Sequence, residues 1–327
     1  MTAAKSPALE AVLDKWFQDP DPGNPRRTRA ILVVKDGQII AERYGKGFDK
    51  DTRFQGWSMT KSVTEALLGI LVKQGKLDIH VPTPVPEWQG ADDPRKAITI
   101  DQLIHMSSGL EFNEDYGNLA YGVTQMLYNQ SDMAFYAASK PLYAPPDTVW
   151  YYSSGTANIL SRIIRDTFSG DITAYWAFPQ EALFHRINVN SAILEPDASG
   201  TFVGSSYMYT TARDWARFGM LYLQDGIWNG ARILPEGWVD YTRTPTPLSS
   251  GEYGGMWWLN VGEPGKPETK DWPDLPDDIY YAEGHDGQDV GIFPSQNMIV
   301  VRLSVSRNGS WDMAEFLADV MAAVDIK

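Results

Sequence analysis

The stretch GWSMTKSVTEALLGILV, residues 56–72, joins two polar residues to a run of apolar ones. The apolar residues recur at helical spacing, which predicts a buried helix over about 58–74. Ser58 and Lys61 stand three residues apart at its N-terminal end and therefore share one helix face. A lysine on a buried helix must lose its hydration, which is tolerated only where it has a partner or a chemical role.

One chemical role for this pair is nucleophilic catalysis. Serine is a poor nucleophile at neutral pH and needs a base within hydrogen-bonding reach. In a dry site Lys61 favours its neutral form and can act as that base, while free N–H groups of the first helical turn suit an oxyanion. The alternative is an ordinary serine beside a solvated lysine, and the SxxK motif alone does not decide between them.

The composition excludes several classes of protein. The chain has 327 residues, of which 43% are hydrophobic, so it can bury a large core. It has no cysteine, which excludes disulfides, a thiol nucleophile and a thiolate metal site. The net charge is −14 with scattered acids, and no basic face for a nucleic acid is visible.

The N-terminal sequence, MTAAKSPALEAVLDKWF, lacks the apolar core of a signal peptide. No run approaches the roughly 18 apolar residues of a membrane span. As written, the chain is expected to be soluble and cytoplasmic, or periplasmic or secreted if a leader has been removed. The sequence leaves the oligomeric state open between monomer and dimer.

The strand signals lie near the two ends of the chain. AILVV and QIIAERY are joined through Asp36-Gly37, a strong hairpin signal, and MWWLNV, DVGIF and MIVVRLSV follow near the C-terminus. This pattern predicts an α/β fold with one antiparallel sheet built from both termini and covered by helices. Residues 1–75 and 201–327 would form the sheet lobe, and 76–200 a mainly helical lobe, with a cleft between them.

Other catalytic and metal-binding motifs are missing from the sequence. Thr60 stands where a GxSxG elbow needs glycine, and neither HExxH, DxDxDG nor a Walker loop occurs. The histidines His80, His105, His185 and His285 lack ligand spacing. We therefore expect neither a metal nor a cofactor.

Two further motifs follow SMTK along the chain: Tyr152-Ser153-Ser154 and His285-Asp286-Gly287. The three motifs in this order resemble the serine β-lactamase and penicillin-binding-protein family, in its class C-like branch. The phrases GWSMTKSVT, SSGLEFNEDYG and GSSYMYTTARDWARFG look most similar to 6-aminohexanoate-oligomer hydrolases and related carboxylesterases. The resemblance covers residues 30–305 and implies a β-lactamase/transpeptidase-like fold.

The resemblance also implies roles for individual residues. Ser58 would be the acylated nucleophile and Lys61 its base, while Tyr152 would relay protons between Ser58 and the leaving group. The backbone N–H groups of Ser58 and Gln288 would form the oxyanion hole. A neighbouring lysine cation would make Tyr152 a base by stabilising its phenolate. Tyr151 is the neighbouring candidate, but the motif register favours Tyr152.

Departures from the family pattern bear on the substrate. Ser154 stands where members that recognise penicillin commonly carry Asn, and His285 where many carry the Lys of Lys-Thr-Gly. A histidine, unlike a lysine, is not a permanent cation near neutral pH, so a permanent cation for a substrate carboxylate is missing from this motif. Ser154, His285 and Gly287 are the predicted substrate-binding residues of these motifs, and the changes favour neutral esters or amides.

The loop SSGLEFNEDYGN contributes a further candidate. Its Tyr116 occupies a segment that covers the substrate in nylon-oligomer hydrolases, so it is a predicted substrate-binding residue. Glu114 and Asp115 could meet a substrate ammonium group, although solvated loop acids are the expected interpretation. Gly204–Ser206 is expected to shape the cleft floor rather than supply a second nucleophile.

These observations predict a serine hydrolase that acts through an acyl-enzyme on Ser58. Its substrate would be a small molecule, with small or medium esters as the first predicted class and linear amides of 6-aminohexanoate type as the second. A β-lactamase or D-amino acid peptidase is the alternative enzyme. The alternative of another class is a catalytically silent sensor or scaffold, against which the intact motifs argue.

Overall fold

The computed structural model describes residues 6–307 and 309–325. The helices are α1 (Pro7–Trp16), α2 (Thr60–Lys73), α3 (Ile100–Ile104), α4 (Val123–Asn129), α5 (Met133–Ala138), α6 (Ser154–Asp166), α7 (Ile172–Phe178), α8 (Ala212–Leu223), α9 (Trp238–Thr242) and α10 (Met313–Asp325). The strands are β1 (Thr28–Lys35), β2 (Gln38–Tyr44), β3 (Phe54–Gln55), β4 (Ile193–Leu194), β5 (Met208–Thr210), β6 (Ile227–Trp228), β7 (Ala231–Arg232), β8 (Trp258–Leu259), β9 (Tyr280–Gly284), β10 (Gln288–Phe293) and β11 (Met298–Ser304).

The main sheet is antiparallel and has the strand order β2-β1-β11-β10-β9-β8. Strands from the two ends of the chain meet where β1 pairs with β11. The hairpin between β1 and β2 turns at Asp36 and Gly37, whose φ angles of 50° and 73° are those that an Asp-Gly turn requires. The predicted sheet of both termini and its hairpin are therefore confirmed.

The prediction of strands near the C-terminus was wrong in number, because it omitted β9. This strand, YYAEG, lies between β8 and β10 in the sheet. Tyr280, Tyr281 and Ala282 are all buried, so the strand shows no alternation of apolar and polar residues. The omission matters because β9 leads directly into His285-Asp286-Gly287.

Helices cover both faces of the main sheet. Ile31 and Val33 of β1 face a cluster that includes Leu13 of α1 and Phe316 of α10. The alternate residue Leu32 belongs to the larger cluster, to which α2 and α8 contribute. This alternation is the two-residue period of a strand buried on both sides.

The middle of the chain is helical, and α3 to α7 all lie between residues 100 and 178. Helix α6 packs against α2 and α5, which ties this helical segment to the helix that follows Ser58. The division into a 76–200 lobe and a lobe of 1–75 with 201–327 stays a prediction. Within the described residues, no helix has the length and apolar character needed to cross a membrane.

Candidate active site

A short 3₁₀ turn, Trp57–Met59, places Ser58 immediately before α2. Trp57 has a φ of +48°, a left-handed conformation that costs energy in a tryptophan and persists only where neighbouring contacts hold it. Gly56 is packed against Trp215, since a Cβ at position 56 would lie 2.3 Å from the indole ring. The surrounding core thus fixes the turn that carries Ser58.

Lys61 lies in the first turn of α2 and points back to Ser58. Its Nζ atom donates to Ser58 Oγ at 2.8 Å, to Ser154 Oγ at 3.0 Å and to the Ser205 carbonyl oxygen at 3.2 Å. The side chain is 1% exposed. Burial lowers the pKa of Lys61 to about 8, so a substantial fraction is neutral near that pH. The first two motifs therefore meet at this amine.

Tyr152 stands over the same amine, with its ring centroid 4.7 Å from Lys61 Nζ, and its hydroxyl interacts with the Ser58 side chain. Trp258 stacks on the Tyr152 ring at 5.2 Å, and Tyr253 packs edge-on against it at 5.7 Å. These contacts fix the ring. The neighbouring Tyr151 is 46% exposed, so it faces away from the site.

The protonation state of Tyr152 depends on its burial. Burial, together with the charges of Tyr253 and Glu114, raises the pKa of Tyr152 well above its ordinary value of 10.0. This direction favours the protonated phenol, which holds its proton in the resting site and can donate it. The role of Tyr152 as a proton relay stays a prediction.

Glu114 lies in the site, whereas a solvated position was expected for it. Its carboxylate accepts hydrogen bonds from the backbone N–H of Ser154, at 2.9 Å, and from the Ser154 hydroxyl. Burial raises the pKa of Glu114, and the nearby Lys61 charge opposes that rise. The adjacent Asp115 is exposed as expected. In sequence, nothing distinguishes these two neighbouring loop acids.

Tyr116, from the same loop, reaches the turn that carries the third motif. Its ring stacks on His285 with centroids 4.7 Å apart and ring planes 12° apart. Trp57 packs edge-on against both rings, at 6.4 Å and 5.4 Å. The predicted substrate-binding residues Tyr116 and His285 thus form one aromatic wall beside Ser58.

The third motif forms the turn between β9 and β10. Gly287 has a φ of +77°, and a Cβ there would lie 2.6 Å from Arg302 Nη1, so only glycine fits without movement. Gly284 touches the Ser58 turn, because a Cβ there would lie 2.2 Å from the Gly56 carbonyl oxygen. This close approach brings His285 and Gly287 to the wall of the Ser58 cavity.

Gln288 lies on β10, opposite Gly284, and is 3% exposed. Its side-chain amide donates to the carbonyl oxygens of His285, at 3.1 Å, and Ser304, at 2.8 Å, and so braces the turn from inside the sheet. Its side chain therefore has a structural role. The assignment of its backbone N–H to the oxyanion hole stays a prediction.

Ser205 and Ser206 are fully buried behind Lys61. The Ser205 hydroxyl bonds to the amide of Asn158 at 3.1 Å and to the Ser206 hydroxyl at 2.9 Å. Its carbonyl oxygen, rather than its hydroxyl, faces Lys61. The segment lies behind Lys61, and its buried hydroxyls have no open approach for a substrate; its role as the cleft floor stays a prediction.

A cavity of about 450 Å³ opens beside Ser58, and its lining includes Tyr152 and the aromatic wall of Tyr116 and His285. Beyond the aromatic wall it continues past charged residues that the motifs did not indicate, namely Glu283, Asp286 and Arg307. Across residues 6–307 and 309–325, no group of three or more His, Asp or Glu side chains could hold a metal ion. A larger hollow of about 620 Å³, beside Lys76 and Trp238, has no serine in its lining.

Known proteins share both the sequence pattern and the fold. A family model described as Beta-lactamase matches residues 13–322. The 6-aminohexanoate-dimer hydrolase of Paenarthrobacter ureafaciens is 24% identical over an alignment of 360 positions, which covers 99% of this chain and 83% of that protein.

Two solved structures are similar in fold. EstCE1, named as a hydrolase with promiscuous acyltransferase activity, matches with a TM-score of 0.74 and 14% identity over 97% of this chain and 98% of its own. A penicillin-binding protein homologue from Caulobacter crescentus matches with a TM-score of 0.73 and 14% identity over 98% and 99%. At these identities the likeness concerns the fold alone.

Proposed function

Since the chain belongs to the Beta-lactamase family, a family of serine hydrolases, we propose that it hydrolyses small or medium carboxylic esters through an acyl-enzyme on Ser58. Linear amides of 6-aminohexanoate type are the second proposed substrate class, supported by the similarity to the Paenarthrobacter hydrolase. The observation that carries the proposal is the buried Lys61 amine, 2.8 Å from Ser58 Oγ. An amine in this position can take the serine proton.

Acylation begins when Lys61 Nζ accepts the Ser58 proton and Ser58 Oγ bonds to the substrate carbonyl carbon. The carbonyl electron pair moves onto oxygen and gives a tetrahedral oxyanion. Collapse of this intermediate breaks the bond to the leaving alkoxide or amine, which takes the Tyr152 proton. The Lys61 ammonium then returns a proton to Tyr152, so both groups regain their starting states.

Deacylation repeats the same chemistry with water. Lys61 accepts a proton from the water as its oxygen attacks the ester carbonyl. The Ser58 oxygen then leaves and takes that proton back from the Lys61 ammonium, which releases the carboxylic acid and restores neutral Lys61. The N–H of Ser58, with that of Gln288 as the predicted second donor, would stabilise the oxyanion in both steps.

The charges of the cavity favour substrates that carry no more than one carboxylate. Glu114, Glu283 and Asp286 line it, and Arg307 is a cation on the same wall. Arg307 offers one site for a substrate carboxylate, such as the free acid end of an aminohexanoate dimer. The acidic residues would repel additional negative charge. This balance supports neutral esters first and zwitterionic linear amides second.

The test compares kcat/KM on p-nitrophenyl butyrate, a 6-aminohexanoate dimer and a chromogenic cephalosporin, for wild type and Ser58→Ala. We expect ester turnover to be fastest, and loss of all turnover in Ser58→Ala. Cephalosporin turnover alone would favour the β-lactamase alternative. If folded wild type turns over none of the three and a fluorophosphonate fails to label Ser58, the sensor or scaffold alternative replaces the hydrolase.

A further inference from the structure

A continuous series of hydrogen bonds runs from Ser58 to Glu114. Lys61 Nζ donates to Ser58 Oγ at 2.8 Å and to Ser154 Oγ at 3.0 Å. The Ser154 hydroxyl donates its own hydrogen to Glu114, whose second oxygen accepts from the Ser154 backbone N–H at 2.9 Å. Among the described residues, no Lys, Arg or His forms an ion pair with Glu114.

The directions of these hydrogen bonds decide where a neutral Lys61 can point its lone pair. A neutral amine has two hydrogens and one lone pair, and the lone pair needs a donor. The third neighbour, the Ser205 carbonyl, can only accept. The Ser154 hydrogen is already given to Glu114. Ser58 is then the neighbour left to donate to Lys61, which is the arrangement required for proton abstraction.

We propose that Glu114 is a positioning residue that acts through Ser154 to direct the Lys61 lone pair toward Ser58. This inference rests on the proposed function, because it matters only where Lys61 is the base. Glu114 also supplies negative charge. Burial is the main cause of the lowered pKa of Lys61, and the charge of Glu114 opposes it by favouring the lysine cation, so Glu114 raises the pH at which Lys61 becomes neutral.

Other titratable groups surround the pair, and all of them stay unchanged in the variants used below. They are Tyr116, Tyr152, Tyr253, His285, Asp286 and Glu283. Burial raises the pKa of each of the three tyrosines, so they remain neutral through the assay range. Glu114 contributes to the raised pKa of each tyrosine, so the acid limb, rather than the basic limb, is the part of the pH profile that reports on Glu114 and Lys61.

The test uses the Glu114→Gln variant and two readouts, the pH profile of kcat/KM and the rate of Ser58 labelling by a fluorophosphonate. A glutamine can donate to Ser154 and free its hydrogen for Lys61, so the lone pair no longer points only to Ser58. We expect the plateau of kcat/KM to fall roughly 10–100-fold with little change in KM. Loss of the anion should also move the acid limb about one pH unit lower.

Two controls separate position and charge from general effects. Asp115→Asn makes the same chemical change at the exposed neighbour and should leave both readouts within twofold of wild type. Glu114→Asp keeps the charge and should leave the acid limb within about 0.3 pH units of wild type while the plateau falls. It also serves as the test variant if Glu114→Gln does not fold. In a Ser154→Ala background, the plateau loss caused by Glu114→Gln should largely disappear.

The outcomes distinguish this inference from the proposed function. Unlabelled wild type would overturn the hydrolase and, with it, the role of Glu114. Labelled wild type with an unchanged plateau and acid limb in Glu114→Gln would overturn the positioning role alone. An equal effect of Asp115→Asn would also overturn it, since charge anywhere in the loop would then suffice.

Discussion

Lys61 and Glu65 are two buried ionisable residues one turn apart on α2, yet their surroundings differ. Lys61 forms hydrogen bonds with two serine side chains next to the cavity. Glu65 is fully buried in the core, where its carboxyl group accepts hydrogen bonds from the hydroxyls of Tyr222 and Thr242. Burial favours the neutral form of both, lowering the pKa of Lys61 to about 8 and raising that of Glu65 to about 8.

The difference shows that a buried ionisable group indicates catalysis only in a particular setting. The hydrogen bonds of Glu65 link α2 to α8 and α9. Glu65 does not line the cavity beside Ser58. Lys61 has a nucleophile at 2.8 Å and a route for substrate. Perturbed pKa values alone would rank the two residues equally, and the geometry separates them.

The largest expected difference in kcat/KM is between a variant that lacks Lys61 and a variant in which Glu65 is changed. Lys61→Ala should lower kcat/KM on the preferred ester at least about 10³-fold, because Ser58 loses its base. Glu65→Gln, the matched change one turn away, should stay within threefold. Circular dichroism would verify that both variants are folded. Substantial activity in Lys61→Ala would remove this lysine from the mechanism.

Tyr152 lies beside Lys61 and Tyr222 beside Glu65, and removing each hydroxyl should affect a different property, activity for Tyr152 and stability for Tyr222. Tyr152→Phe should lower kcat/KM roughly 10²–10⁴-fold, because the leaving group loses its proton donor. Tyr222→Phe removes a donor from the buried Glu65 and should lower the free energy of unfolding by about 1–3 kcal/mol, with activity nearly unchanged.

Tyr151→Phe is the matched control for Tyr152→Phe, because it deletes the hydroxyl of the exposed neighbour. Its kcat/KM should equal that of wild type. A loss under about threefold in Tyr152→Phe, or a large loss in Tyr151→Phe, would mean that the proton donor has been assigned to the wrong tyrosine.

A further expected effect is the pH dependence of stability that comes from Glu65. Its pKa is raised from 4.5 to about 8 in the folded protein, so the folded state binds the extra proton between those values. The stability from protonated Glu65 is present below pH 4.5 and is lost as the pH rises through about 8. The free energy of unfolding of wild type, relative to Glu65→Gln, should therefore decline from pH 5 to 8.

Urea unfolding of both proteins across this pH range gives the measurement. Lys61 titrates in the opposite sense, since its lowered pKa costs stability as the pH falls from 10.5 toward 8. The comparison with Glu65→Gln cancels the contributions of other carboxyls whose pKa burial raises, such as Glu114 and Glu283. A difference between the two proteins that is constant with pH would show that Glu65 is not protonated in the fold.

Local patterns of the sequence were sufficient to predict much of the fold. The Asp36-Gly37 turn and the apolar runs on each side of it are enough to predict the β1–β2 hairpin. The helical spacing of apolar residues after Ser58 is enough to predict α2. Strand β9 was missed because its first three residues, on both faces of the strand, are all buried and only Glu283 is exposed. Consecutive buried residues do not give the alternating pattern that marks a strand in a sequence.

The candidate site was predictable where residues are close along the chain and less so across loops. Ser58 and Lys61 meet because three residues make nearly one helical turn. Glu114 and Arg307 lie on loops that bring them to the cavity. The course of a loop leaves no periodic pattern in the sequence, so these two residues could not be predicted. The proton on Tyr152 follows from burial by Trp258 and Tyr253, which are distant in sequence.

The most direct test of the central claim is mass spectrometry of the protein after reaction with a fluorophosphonate. We expect a single adduct on Ser58 in wild type, and strongly slowed labelling in Lys61→Ala. An adduct on another serine would contradict the assignment of the nucleophile. An unchanged rate in Lys61→Ala would contradict the assignment of the base.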